Sequence, residues 1–347
     1  MKKKLLIILL SVIGIIIIKL VNTDTNTEQT EYMEKKNPTH NNSNTDKMVI
    51  GFYNVENLFD IYDDPKTFDE EFTPFGKKQW DNDRYQKKIN DISTVISSLS
   101  SKNNPALIGL AEIENYDVLK DLIKAKSLYK TNYKVIHRDN NDSRGIDVAA
   151  IYDANSLNVI KYNYYKVDGL HTRDILHIEG EIANSEHIHF FITHWPSRRK
   201  GEKETEYKRV EVAKIIRSKI DNLLDLNSNE RIVIMGDFND EPSNKSVTNY
   251  LMKNDFYNLH DTYENTKNGT VNHRGDWMVF DQIIISNSLL NDNTYKLDKN
   301  SGKIYTNNDI TFTHSDGNKV PSRTYGGPKY FGGASDHYPV YMTIGIK

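Results

Sequence analysis

The chain has 347 residues, with 48 acidic and 45 basic side chains, 37% hydrophobic residues and no cysteine. The missing sulfur excludes a disulfide-stapled scaffold, a thiolate metal site, a cysteine nucleophile and a lipid-modified cysteine anchor. The formal net charge of -3 argues against a generally cationic nucleic-acid coat protein, although a local basic loop could still hold phosphates.

The first segment differs in composition from the rest of the chain. Three lysines at 2–4 precede an apolar run over 5–18, and Lys19 follows it. This pattern is typical of a secretory signal, so residues 1–21 are predicted to be a signal peptide or an uncleaved N-terminal membrane anchor. Either interpretation exports the rest of the chain, which is secreted or tethered to the membrane by this segment alone.

Residues 22–47 are mostly Asn, Thr, Glu, Asp and Lys, with almost no apolar side chain. Such a stretch buries too little apolar surface to offset the entropy lost on ordering, so a disordered polar linker is predicted there. No later linker divides the chain, and one catalytic domain is predicted over 48–347.

Within that domain, short apolar runs alternate with helical patterns. Strands are predicted at Met48–Tyr53, Ala106–Ala111, Ile146–Tyr152, Ile175–Ile182, Ile188–Thr193, Ile232–Met235, Asp281–Ser286 and Pro339–Ile344. Helices are predicted at Asp81–Leu99, at Glu204–Leu226 and, shorter, after Pro242. The few residues between 175–182 and 188–193 require antiparallel pairs, which disfavours an all-parallel doubly wound sheet.

Polar side chains follow several of the predicted strands. Glu112 follows one, His194 another and Asp237 a third, while Asp336 and His337 precede the last strand. A rigid strand end can aim such groups, and Glu, Asp, Asn and His without cysteine suit Mg²⁺, Ca²⁺ or Mn²⁺. Each segment alone is weak, because Asp and Asn after a strand more often make turns or helix caps.

Together, six segments are more specific. They are 51–60 (GFYNVENLFD), 110–112 (LAE), 193–196 (THWP), 236–239 (GDFN), 281–284 (DQII) and 335–337 (SDH). In this order they resemble the endonuclease/exonuclease/phosphatase superfamily, in its deoxyribonuclease-like and exported bacterial branch, and the resemblance covers 48–347. It implies an α/β fold, a four-layer sandwich in which helices flank two face-to-face mixed or antiparallel β-sheets.

The resemblance also implies a metal site. It matches Glu112 to the metal-binding glutamate of the family, with Asn54 and Asp336 completing or flanking the site. The expected cofactor is Mg²⁺, with Mn²⁺ or Ca²⁺ as alternatives, and the number of ions is left open.

Five further residues match the family's catalytic groups. Asp237 matches the aspartate that orients or deprotonates the attacking water, and Asn239 matches the amide that contacts the phosphoryl oxygens. His337 matches the histidine at the phosphate, held by Asp281, and His194 matches a second histidine of the deoxyribonuclease-like and sphingomyelinase-like branches.

Four residues are predicted to line the substrate-binding rim. Arg198 and Arg199 directly follow the His194 segment, and guanidinium groups there could bind a neighbouring phosphate. A solvated charged loop is an equally good interpretation, because glutamates dilute this basic run. Arg144 and Tyr325 lie in stretches that resemble exported bacterial members, and Tyr325 could stack on a base or serve only in packing.

The predicted function is that of an exported, divalent-metal-dependent phosphodiesterase, an endonuclease that hydrolyses extracellular DNA or RNA. The alternatives on the same fold are a phospholipid phosphodiesterase of the sphingomyelinase type and a phosphomonoesterase. A third hypothesis is a catalytically inactive surface binding protein. The expected partner is a nucleic acid substrate, and the chain carries no oligomerisation signal, so a monomer is expected.

Overall fold

Two large β-sheets carry most of the strands in the computed structural model, which describes residues 30–32, 47–101, 104–140, 142–182 and 186–346. The strands of the first half are β1 Thr30–Tyr32, β2 Lys47–Leu58, β3 Leu107–Ile113, β4 Tyr133–Ile136, β5 Asp147–Asp153, β6 Asn158–Tyr165, β7 Ile175–Ile182 and β8 Glu186–His194. Those of the second half are β9 Ile232–Asp237, β10 Phe256–Asn258, β11 Val271–His273, β12 Asp276–Met278, β13 Asp281–Ser286, β14 Tyr295–Lys296, β15 Lys303–Ile304, β16 Thr311–Thr313, β17 Lys319–Pro321, β18 Tyr325–Gly326, β19 Lys329–Tyr330 and β20 Val340–Ile346.

Helices are fewer than strands in the described ranges. The α-helices are α1 Asn82–Ser98, α2 Tyr116–Lys124, α3 Glu202–Leu226 and α4 Asn287–Leu290, and a π-helical segment spans Ser246–Met252. Short 3-10 turns lie at Glu70–Phe72, Asp261–Tyr263 and Asn308–Ile310.

Each large sheet contains one parallel pair among antiparallel neighbours. The first sheet has the order β1-β6-β7-β8-β9-β13-β10, with β8 parallel to β9. The second has the order β14-β20-β2-β3-β5-β4, with β15 also paired to β20 and with β2 parallel to β3. In both parallel pairs a long connection containing a helix joins the two strands, as parallel pairing requires.

The main hydrophobic core fills the space between the two sheets. Alternate residues of a strand point to opposite faces, so Ile50 and Phe52 of β2 meet Phe190 and Ile192 of β8 in this core. At Gly109 of β3 the sheets approach closely, because a Cβ there would lie 3.0 Å from Ile192 of the opposite sheet.

The outer faces of both sheets are covered by helices. Val49 and Tyr53 of β2 pack against Ile89 and Ile92 of α1, and α2 adds Val118, Leu119 and Leu122 to the same cluster. On the first sheet, Phe191 and Ile234 pack against Val212, Ile216 and Ile220 of α3. The molecule is therefore a four-layer sandwich with helices outside two mixed sheets, which confirms the predicted fold class.

All eight predicted strands and both long predicted helices are present, most of them with shifted ends, and the short helix predicted after Pro242 is the π-helical segment Ser246–Met252. The sequence analysis missed the helices α2 and α4, the strands β4 and β6, and the short strands β1, β10, β11, β12 and β14 to β19. The predicted export segment, 1–21, lies outside the described residues. So does most of the predicted linker, 22–47. Of the described residues in that range, Thr30–Tyr32 pairs antiparallel with residues 161–163 of β6, and Lys47 begins β2.

Within the described ranges, no helix is both long and apolar enough to cross a membrane.

The inter-sheet core predicts the stability of a matched pair of variants. Phe190→Ala, fully buried between the sheets, should lower the free energy of unfolding by about 3–5 kcal/mol through lost burial and an unfilled cavity. Phe75→Ala removes the same atoms from a fully exposed side chain, so the free energy of unfolding should change by less than about 0.5 kcal/mol. Urea unfolding measures both. Equal losses in the two variants would contradict this placement of the core.

Candidate active site

The predicted polar residues meet where the strands of both sheets end. Asp237 is the last residue of β9, and Asp281, the first residue of the antiparallel β13, lies opposite it in register. From the second sheet, Asn54 donates its amide Nδ2 to Asp237 Oδ2 at 3.1 Å. The topology thus joins the two sheets at one end of the sandwich, and His337 enters there just before β20.

Left-handed backbone conformations turn two acidic side chains toward this region. Glu56, Asn57 and Glu112 have φ values of 51°, 55° and 65°, which are uncommon for residues other than glycine. They coincide with irregular pairing of β2 with β3 and of β3 with β5. The Asn57 N–H donates to Glu112 Oε2 at 2.9 Å, so the two irregular segments fix one another.

Asp237 is buried and has several polar neighbours. Its Oδ1 accepts the Asn239 N–H at 2.9 Å, and its Oδ2 lies 3.4 Å from His194 Nε2 and 4.0 Å from His337 Nε2. Burial, and then the charge of Asp281, raises the pKa of Asp237 to about 7. A carboxylate with this pKa is suited to accept a proton near neutral pH.

His337 is oriented by a buried carboxylate. Its Nδ1 lies 2.8 Å from Asp281 Oδ2, which is fully buried, and its Nε2 is left facing Asp237. Burial alone would lower the pKa of His337, but the charges of Asp281 and Asp237 and the bond to Asp281 raise it well above its ordinary value. The backbone N–H of His337 donates to the Ser335 hydroxyl, which donates to the Asn54 carbonyl at 2.7 Å.

His194 and Asn239 complete this cluster. Burial, and then the charges of Arg173 and Arg144, holds the pKa of His194 well below its ordinary value, so the ring is neutral. Asn239 has a φ of 48°, and its Nδ2 donates to the Trp195 carbonyl at 3.1 Å. The structure therefore brings together all five predicted catalytic residues.

Beside this cluster lies a small polar cavity of about 220 Å³ that Glu56, Glu112, Asp336 and His337 line. Burial, and then the charge of Asp336, raises the pKa of Glu56 to about 7. The residues present fit a divalent ion, because carboxylate oxygens are hard ligands and a cation would offset their repulsion. Glu56, Glu112 and Asp336 are the residues that would hold it.

Lys88 on α1 contacts the chain segments that form this cavity. Its fully buried Nζ donates to the Glu56 carbonyl at 2.6 Å, to Thr324 Oγ1 at 2.6 Å and to the Ala334 carbonyl at 3.2 Å. Burial lowers its pKa to about 8, while the neighbouring carboxylates oppose that shift. Lys88 thus ties together the two chain segments that carry Glu56 and Asp336.

A second arrangement of ligand atoms lies nearby. Oxygens of Asp237 and Asp281 and a ring nitrogen of His337 fall within 4.8 Å of one another, which could also hold a metal. An ion bound at His337 Nδ1 would replace the bond to Asp281. Glu56 in the cavity accepts the N–H groups of Thr324 and Tyr325, but each carboxylate oxygen keeps a lone pair for an ion. We therefore favour the cavity lined by Glu56, Glu112 and Asp336, the carboxylate cavity, as the metal site.

Asn54 has both ends of its amide engaged. Its Oδ1 accepts the Glu56 N–H at 3.0 Å while its Nδ2 binds Asp237. In this geometry Asn54 positions Asp237, and its predicted contribution to the metal site stays a prediction.

Two of the predicted rim residues have hydrogen-bond partners within the protein. Arg198 donates to the Asn239 carbonyl at 2.7 Å and to Asp240 at 2.8 Å, so its guanidinium supports the active-site loop from within the protein. Tyr325 is buried, its hydroxyl donates to the Lys78 carbonyl at 2.9 Å, and its ring packs against other aromatic rings. Arg198 is half-buried and Tyr325 lines the small polar cavity, so their predicted contact with a substrate stays a prediction. Arg199 and Arg144 are exposed, and the charge of Arg144 reaches His194.

The sequence analysis missed three residues of this site: Glu56, Lys88 and Arg173. Glu56 lies two positions after Asn54 in the same motif, and that spacing was the available signal. Arg173 is buried and donates to the Trp195 carbonyl at 2.9 Å, and its charge acts on Glu112 and Asp237. No motif surrounds Arg173 or Lys88 in the sequence.

A family model described as "Endonuclease/Exonuclease/phosphatase family" matches residues 49–345. No curated protein sequence matches the chain.

Solved structures share the fold at low sequence identity. A humanized D. rerio TDP2 superposes with a TM-score of 0.57 at 12% identity, over 86% of this chain and 99% of that one. D. rerio TDP2 complexed with single strand DNA product gives 0.54 at 12% identity, over 86% and 98%.

Two Bacteroides thetaiotaomicron proteins are also similar. An endonuclease/exonuclease/phosphatase family protein gives a TM-score of 0.56 at 16% identity, over 87% of this chain and 95% of that one. The mannosyl-6-phosphatase Bt3783 gives 0.53 at 16% identity, over 86% and 99%. The family match, the two-sheet sandwich and the assembled site agree: the chain belongs to the endonuclease/exonuclease/phosphatase family of divalent-metal-dependent phosphoester hydrolases.

Proposed function

We propose that the protein is a phosphodiesterase that hydrolyses nucleic acid, with Mg²⁺ as its metal. The observation that carries the proposal is the placement of Asp237 and the His337–Asp281 pair beside the carboxylate cavity. Phosphodiester hydrolysis requires a base for the attacking water, donors for the phosphoryl oxygens and compensation of the charge that develops.

Each of these needs has a residue in the site. Asp237, with a pKa of about 7, accepts the proton of the attacking water, and Asn54 and the Asn239 N–H fix its orientation. His337 Nε2 donates to a phosphoryl oxygen, because Asp281 fixes the proton on Nδ1 and favours the charged ring. A bound divalent ion supplies a Lewis acid for the phosphoryl oxygens and the leaving group.

Nucleic acid is favoured as the substrate for two reasons. D. rerio TDP2 complexed with single strand DNA product has the same fold, and Arg144 and Arg199 remain exposed for phosphates. The fold of the mannosyl-6-phosphatase supports the phosphomonoesterase alternative to a similar degree.

Export remains our proposal from the basic and apolar pattern of residues 1–21. Fractionation of cells that express the full-length chain should recover the protein in the membrane or the medium. Recovery only in the cytoplasm would contradict export.

Replacing either Asp237 or His337 should greatly reduce turnover. Asp237→Asn removes the base and His337→Ala removes the donor, so each should lower the rate of plasmid nicking by about 100-fold or more. Circular dichroism should show that both variants stay folded.

The matched controls are Asp225→Asn and His171→Ala, which change the same residue types at exposed positions. Both should nick plasmid at the wild-type rate. Near-wild-type nicking by Asp237→Asn and His337→Ala would remove this mechanism.

A substrate panel tests the substrate class and the metal together. Purified full-length protein is incubated with plasmid DNA, RNA, sphingomyelin and a phosphomonoester, each with Mg²⁺ and with EDTA. Cleavage of DNA or RNA that EDTA abolishes is expected, because three carboxylates of the cavity fit a divalent ion.

The other outcomes of the panel separate the alternatives. Activity on sphingomyelin or the phosphomonoester alone would replace nucleic acid with that substrate. Silence on all four substrates would favour the inactive binding protein, and activity undiminished by EDTA would exclude the metal.

A further inference from the structure

A cleft opens directly beside the active site. Its volume is about 1280 Å³, and we call it the hairpin cleft because the β11–β12 and β16–β17 hairpins line it. Val271 of β11 forms an isolated antiparallel bridge with His337, and the Tyr338 N–H donates to the Thr270 carbonyl at 2.8 Å. Asp336 lines both the cleft and the carboxylate cavity, so the two spaces are neighbours.

The charge of this cleft differs from that of the whole chain. The cleft is lined by four cationic side chains, Lys267, Arg274, Lys319 and Arg323, and by two carboxylates, Asp316 and Asp336. The chain as a whole has a net charge of -3. All four cations are exposed. An anionic ligand therefore finds more positive than negative charge here.

Aromatic side chains occupy the same walls. Phe312 and Phe331 line the cleft and remain 48% and 51% exposed. Trp277, also in the lining, stacks on Tyr338 at a centroid distance of 6.0 Å. Exposed rings between cations are the combination that binds unpaired bases and their phosphates, since every base has a face for stacking.

The volume and the lining residues of the cleft exclude several kinds of ligand. The cleft exceeds the roughly 300–1,000 Å³ of small-molecule pockets, so a sugar phosphate would leave most of it unfilled. A lipid surface would favour an apolar tip, but amide side chains such as Asn268, Asn272 and Asn318 lie among the cations. A duplex stacks its bases internally and leaves the two phenylalanine rings without partners.

We propose that the hairpin cleft binds single-stranded nucleic acid and leads its phosphodiester backbone to Asp336 and His337. This proposal rests on the proposed function and names the form of its substrate. Lys267, Arg274 and Lys319 contact phosphates, and Phe312 and Phe331 stack on bases.

Binding in EDTA tests the cleft apart from catalysis. The probe is a fluorescein-labelled oligothymidylate of about twelve nucleotides, and fluorescence anisotropy of the full-length protein gives Kd. Arg274→Glu/Lys319→Glu should raise Kd by about tenfold or more and reduce its salt dependence. Phe312→Ala/Phe331→Ala should raise Kd by about fivefold or more with the salt dependence unchanged.

The matched control is Lys126→Glu/Lys130→Glu, which reverses two exposed charges outside the cleft. These residues follow α2, which starts after the active-site end of β3 and runs back along the second sheet. This variant should bind as the wild type does. Wild-type affinity in both cleft variants, or tighter binding of a matched duplex, would overturn the proposal.

Hydrolysis of bis(4-nitrophenyl) phosphate by the wild-type protein with Mg²⁺ reports the proposed chemistry separately. Hydrolysis without oligonucleotide binding would overturn the hairpin cleft and leave the phosphodiesterase proposal standing. Oligonucleotide binding that depends on the cleft residues, without hydrolysis, would support the cleft and overturn the phosphodiesterase. Binding to sphingomyelin vesicles in place of the oligonucleotide would overturn the cleft in favour of a lipid.

Discussion

Mutual repulsion among carboxylates at one end of the sandwich is the constraint that the surrounding structure has to satisfy. The carboxylates are Glu56, Glu112, Asp237, Asp281 and Asp336. Glu56, Asp237 and Asp281 are buried, where a charge is costly unless it is paired or hydrogen-bonded. His337 offsets Asp281, Lys88 lies behind Glu56, and Arg173 contributes positive charge from the side of His194. The remaining repulsion is what a divalent ion would relieve.

Two chain segments reach this end only through unfavourable backbone conformations. A regular strand would place Glu56, Asn57 and Glu112 in the pleat, whereas left-handed φ values turn them out of it. The packed core between the sheets supplies the rigidity that holds such residues in place. Catalytic precision here depends on core packing as much as on the polar residues themselves.

The sequence predicted those parts of the fold that depend on local pattern. Buried strands such as β9 and β8 are apolar runs that end in polar motifs, so both the strands and the positions of Asp237 and His194 could be predicted. Helix α2 was missed because its nine residues give too few periods of an apolar face. Its start depends on the Asn115 cap, which looks like any loop asparagine.

Long-range contacts determine the surroundings of two predicted rim residues. Arg198 lies in a basic segment that resembles a phosphate-binding loop. Its carboxylate partner, Asp240, lies in another loop, 42 residues away in the chain. Tyr325 is buried because its ring packs against Phe72 and Trp80, which lie far away in the chain. Side chains that could face either a ligand or a distant loop cannot be assigned from local sequence.

The short strand β1 precedes the predicted catalytic domain and forms one edge of its first sheet. It covers the outer edge of β6, and Glu31 accepts a hydrogen bond from the Tyr162 hydroxyl there. Unpaired strand edges offer backbone donors and acceptors to other chains and promote aggregation. A fragment that begins at Lys47 would lack β1 and uncover this edge, so β1 protects the domain from pairing with other chains through β6.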